Sequence, residues 1–127
     1  MSLLLTPLDK TWQVEREQVD VRRLDSIFAD AISWIENLRV FLEMDTHGFD
    51  LEVVQGAAGC IGQIVGMQSE VSAQPIYERM PHFTDSLNYY EGLGFKLVGI
   101  SEIARDEETG HLVKLNMVLS CNSQDLL

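Results

Sequence analysis

At 127 residues the chain is long enough for one domain with a modest core. A hydrophobic fraction of 46% beside 23% charged residues is the balance of a soluble globular protein. Nine basic residues against twenty acidic ones leave a net charge of −11, which repels nucleic acid and anionic membrane surfaces and excludes both as main partners.

The opening MSLLLTPLDK has neither the basic region nor the apolar length of a secretory signal, and no apolar run approaches membrane-spanning length. Residues 1–13 have no clear period and are expected to be irregular, with the domain itself over 19–121. The alternation of Val19 and Val21 with polar residues predicts a short strand. LDSIFADAISWI then reads as a helix, with Asp25 or Ser26 at its start. Its stripe is Leu24, Ile27, Phe28, Ala31 and Ile35 at helical spacing.

RVFLEMD is a strand by its apolar run and short length, and FDLEVVQGAA a helix whose first-turn acids suit the positive end of its dipole. Leu51, Val54 and Ala58 should form its buried face. Glycines 56, 59 and 62 weaken and then end it. IVGMQSEV is the next strand, and SAQPIYERMPH a loop punctuated by Pro75 and Pro81. FTDSLNYYEGLGF is a helix with Phe83, Leu87 and Tyr90 on one stripe and Gly94 as its left-handed stop. FKLVGISEIAR and HLVKLNMVLSC are strands joined by DEETG, a hairpin signal. The tail from 122 to 127 should fray.

Strands alternating with helices imply parallel pairing through right-handed crossovers, and the final hairpin must place one antiparallel strand in that sheet. The fold class is therefore α/β. Cys60 and Cys121 share no metal spacing and no CxxC pattern, so two buried free thiols in a reducing cytoplasm are expected. Trp34, near a helix end, is expected in the core or at an interface, and His82 and His111 on the surface.

The stretch FLEMDTHGFDLEVVQGA resembles the segment of FkbM-family methyltransferases that reads roughly LLKIDTQGFELEVLKGA. The likeness continues through VGMQSEVSAQPIYERMPHF and YYEGLGFKLVGI to RDEETGHLVKLNMVL, and VDVRRLDSIF is similar to the stretch before it, about residues 19–120 in all. Such a resemblance implies a Rossmann-like sheet with an antiparallel strand and methyl transfer from S-adenosylmethionine to a hydroxyl of a small-molecule acceptor. It also implies a departure. The Gly-rich turn and the ribose-binding acid of such enzymes have no counterpart here, and neither GAAGCIG nor GLGF gives GxGxxG. The chain looks like the C-terminal half of the fold, expected to be inactive alone. Glu43 and His47 stand where the family usually has lysine and Gln or Glu.

The resemblance directs attention to the edge where open α/β sheets bind ligands. Asp45, at the end of a strand, could orient the cofactor's amino group or take a proton from the acceptor. His47 is a candidate base because its ordinary pKa is near neutral. Gly48 permits a tight turn, or a positive φ, close to a ligand. Asp50 and Glu52 read as first-turn acids. Glu70 and Ser72 share one strand face and could line the acceptor pocket with Tyr77 from the next loop. Asp45, His47 and Glu70 lack the spacing of any defined metal loop, so no metal is expected. Without its first strands, RVFLEMD would be an apolar edge that invites a second copy. The rival reading is a non-catalytic α/β interaction or dimerisation module.

Overall fold

The computed structural model describes residues 15–121. The segment 1–13 and the tail 122–127 lie outside them. Seven main elements follow in order: α1 (Leu24–Ile32), β1 (Val40–Met44), α2 (Asp50–Gln55), β2 (Ile64–Ser72), α3 (Phe83–Gly92), β3 (Lys96–Arg105) and β4 (Leu112–Ser120). The four strands form one sheet in the order β1-β2-β4-β3. β1 pairs with β2 in parallel, whereas β4 runs antiparallel to both β2 and β3. The hairpin thus inserts a single antiparallel strand, as the element order requires.

The core lies on one face of this sheet. Register places Met67, Ser69 and Val71 of β2 opposite Leu119, Met117 and Leu115 of β4, and all six are buried. Val54 of α2, Tyr90 of α3 and Phe28 of α1 complete the packing. The other face carries Phe41, Gln68, Glu70, Asn116 and Val118, none of them buried. Phe41 lies across Gly66 there, where an added Cβ would come within 3.0 Å of the ring.

The turns follow their sequence signals. Gly94 closes α3 at φ +99°, its N–H donating to the Glu91 carbonyl at 3.0 Å. In DEETG the Asp106 carboxylate accepts the N–H groups of Glu108 and Thr109 at 2.8 and 3.0 Å, and Gly110 takes φ +76°.

Several expectations are corrected. No strand forms at Val19–Val21: residues 15–23 make no regular element, and both valines are exposed. That segment is instead held through Arg23 and Asp25. The Asp25 N–H donates to the Gly56 carbonyl, and its carboxylate accepts the Gly59 N–H, both at 2.9 Å. Arg23 pairs with Asp25 at 2.9 Å. A Cβ at Gly59 would meet the Asp25 carboxylate at 3.0 Å, so this glycine permits a close approach besides ending a helix. Asp25 is therefore a cross-link and not a cap; Arg23 is the N-cap residue of α1, with no side-chain cap bond.

The stripe of α1 that packs is Leu24, Phe28 and Ile32, whereas Ile27, Ala31 and Ile35 are exposed. Helical spacing alone does not say which side meets the sheet. α2 ends at Gln55, and Ala57, not Ala58, is buried behind Val54. Trp34 is 79% exposed and no part of the core. The two thiols are unbridged, but only Cys60 is buried; Cys121 is exposed, its Sγ donating to the Ile64 carbonyl at 3.1 Å.

Candidate functional site

The β1–α2 turn stands at the C-terminal edge of the parallel strand pair. Asp45 follows directly on β1, and α2 begins at Asp50. Between them His47 and Gly48 both have positive φ, +53° and +107°. Gly48 meets the conformational need inferred for it, and His47 adopts the left-handed conformation, uncommon for residues with a Cβ but less so for His, Asn and Asp. This fold-back brings the His47 Nε2 to 3.2 Å from an Asp45 carboxylate oxygen, with both side chains mainly in solvent.

The other candidates divide into two sets. Glu70 and Ser72 border a notch with Gly48, Met80, Pro81 and Ser86. The notch has a cavity volume of about 10 Å³, close to that of one water. Glu70 is ion-paired to Lys114 at 3.2 Å, its diagonal neighbour across the β2–β4 ladder. Ser72 is buried and donates to the Met80 sulfur at 3.3 Å. Tyr77 is half-buried in the loop after β2 and does not border the notch. Gly48, Glu70 and Ser72 thus border one notch, whereas the exposed Asp45–His47 pair and Tyr77 do not border it.

Beneath the turn lies a polar cluster inside the core. Asp50, 5% exposed, accepts from the Thr46 hydroxyl and from the Thr46 N–H. Its other oxygen accepts from Ser69 at 2.7 Å. Ser69 has one proton and gives it to the carboxylate, so its oxygen accepts from the Tyr90 phenol, 2.8 Å away. Burial pushes that phenol well above its ordinary pKa, offset in part by the Ser69 bond and reinforced by the Asp50 charge.

A family model for the FkbM methyltransferase domain matches residues 4–97. The chain belongs to the FkbM methyltransferase family. The match begins before the stretch 19–120 that carries the sequence resemblance and ends within β3, leaving β4 beyond it. No curated protein and no solved structure matches the chain.

FkbM methyltransferases use S-adenosylmethionine. An adenosyl group needs a cavity of several hundred Å³, and the notch holds about 10 Å³. The notch that Gly48, Glu70 and Ser72 border is therefore too small for that group. A larger groove of about 520 Å³ lies elsewhere, between residues 21–27 and the outer side of α2, with Leu24, Ile27, Phe49 and Val53 among its apolar walls. None of the candidate site residues borders it.

Sequence reasoning missed Lys114, whose only signal was its place in the strand-like alternation of HLVKLNMVLSC. It also missed the cluster around Asp50. The signal there was Ser69, a polar residue set between Met67 and Val71 on a face that is otherwise apolar. No helix among the described residues is long and apolar enough to cross a membrane.

Proposed function

We propose that the chain forms part of a cytoplasmic, S-adenosylmethionine-dependent O-methyltransferase, and that its sheet is the C-terminal portion of a Rossmann-like domain. The observation that carries this reading is the match to the FkbM domain over residues 4–97, centred on a chain whose Asp45–Gly48 turn stands at the ligand edge of a parallel strand pair. S-adenosylmethionine supplies the methyl group in that family.

The residues of this chain contribute proton handling and orientation. The Asp45 carboxylate, 3.2 Å from the His47 imidazole, can accept the proton of an acceptor hydroxyl directly or through the imidazole. Gly48 lets the backbone approach the cofactor without a side chain in the way. Glu70, Ser72 and Tyr77 shape the acceptor side. The acceptor is a small molecule with a free hydroxyl. The Gly-rich turn and ribose-binding acid of such enzymes have no counterpart in the sequence, so residues 1–127 alone should lack activity.

The test is calorimetric titration with S-adenosylhomocysteine, applied to residues 1–127 and to the product of the complete reading frame. Expected is no binding by the first and one-to-one binding by the second, weakened tenfold or more by Asp45→Ala. Saturable binding by residues 1–127 would overturn the shared-site reading. Absence of binding by both would overturn the methyltransferase reading and favour the interaction module. That second reading has its own support in the apolar residues exposed on the two edge strands, Phe41 on β1 and Val98, Ile100 and Ile103 on β3.

A further inference from the structure

We propose that Asp50 is a positioning residue for the candidate site, acting through Thr46 to hold the turn that presents Asp45 and His47. This rests on the reading of that turn as the working edge.

The geometry separates Asp50 from an ordinary first-turn acid. A carboxylate that serves only the helix dipole lies in solvent and is worth little. Asp50 is 5% exposed, and a buried carboxylate is tolerated only where its oxygens are satisfied. Both are. One oxygen faces Thr46, in the turn; the other faces Ser69, on β2. Ser69 in turn meets Tyr90 of α3. Asp50, at the start of α2, therefore ties the turn to β2 and, through Ser69, to α3.

The turn needs such a tether. His47 and Gly48 sit in succession at positive φ, and the first of these is unfavourable for a side chain with a Cβ. Left to itself the segment would relax, and the Asp45–His47 pair would separate. Hydrogen bonds to a charged acceptor are the stronger kind, and Thr46 makes them from both its hydroxyl and its N–H. Thr46 is thus the residue through which the core sets the direction of its two neighbours. The direction of hydrogen bonding is fixed as well. Tyr90 donates to Ser69 and Ser69 to Asp50, so all the donated protons point at the carboxylate that holds the turn.

The test measures backbone order parameters by nitrogen-15 relaxation in the wild type, Thr46→Val and Thr46→Ser. Thr46→Val keeps the shape and loses the hydroxyl; Thr46→Ser keeps the hydroxyl. Expected are values near ~0.85 for Asp45–Gly48 in the wild type and in Thr46→Ser, falling below ~0.6 in Thr46→Val. Met67 and Met117, in the core of the sheet, keep their values in all three. Tyr90→Phe, which removes only the far donor, should loosen the same turn to a smaller degree. An unchanged turn in Thr46→Val overturns the proposal. So does a loss of order that spreads equally to Met67 and Met117, since that is a general structural role. No ligand enters this measurement, so its failure is separate from a failure of cofactor binding.

Discussion

His47 is one of three described residues with a Cβ at positive φ, beside Asn37 and Arg79. It occupies the left-handed region at φ +53°, where a Cβ costs about 1–2 kcal/mol. It remains there beside a glycine that could have carried the whole reversal. Strain kept where it could be relieved is a sign of a side chain wanted in that place. His47→Gly should therefore stabilise the fold by up to about 1 kcal/mol. Urea denaturation would register this as a higher midpoint with an unchanged slope. A lower midpoint would mean that the 3.2 Å contact with Asp45 contributes more than the backbone loses. Asp50 teaches a related lesson at the same scale. A first-turn acid and a buried network carboxylate are the same letter in the sequence, and only its surroundings tell them apart.

At the scale of elements, the tie between residues 23–25 and the end of α2 replaces the strand that the alternation of Val19 and Val21 suggested. The Arg23 guanidinium and the Gly59 N–H hold the Asp25 carboxyl below the ordinary carboxylate range. A group lowered in the folded state stabilises it above the unfolded value, and that contribution is lost as pH falls through the folded one. Wild type should melt above Asp25→Asn at pH 7, and the two curves should converge as pH drops below about 4. Asp106, lowered by the N–H groups of Thr109 and Glu108, is present in both proteins and cancels in the comparison. Thermal melts across this range check the point. A gap that persists unchanged at pH 3 would mean that packing against Gly59, and not charge, holds the segment.

For the whole molecule, the unpaired strand edges matter most. Among the described residues β1 has a partner on one side only, and so does β3. β3 defends itself: its register shifts between Leu97 and Gly99 and again near Ala104, and bulges of this kind spoil an edge for pairing. β1 is short but carries exposed Phe41. We expect residues 1–127 to associate through β1, and Phe41→Lys, which places a charge on that edge, to reduce the mass by light scattering to that of one chain. The net charge of −11 opposes association, so the wild-type mass should rise with salt as screening increases. A monodisperse monomer at all salt concentrations would rule out the β1 edge as an interface.

The sequence by itself determined the kinds and order of most elements, the family, and the turns at Gly48, Gly94 and Gly110. These depend on local signals: periodicity, glycine conformation and a run of motif residues that does not need its neighbours to be read. The tertiary structure decided what depends on distant partners. It set which stripe of α1 meets the sheet, because Ile27 and Phe28 are equally apolar and only packing chooses between them. It put Trp34 outside and joined Asp25 to Gly59. It buried Asp50 between Thr46 and Ser69, and gave Glu70 its cation in Lys114. Each of these is a contact between residues far apart in the chain or a choice between faces, and burial and charge pairing are properties of that arrangement, not of any one residue.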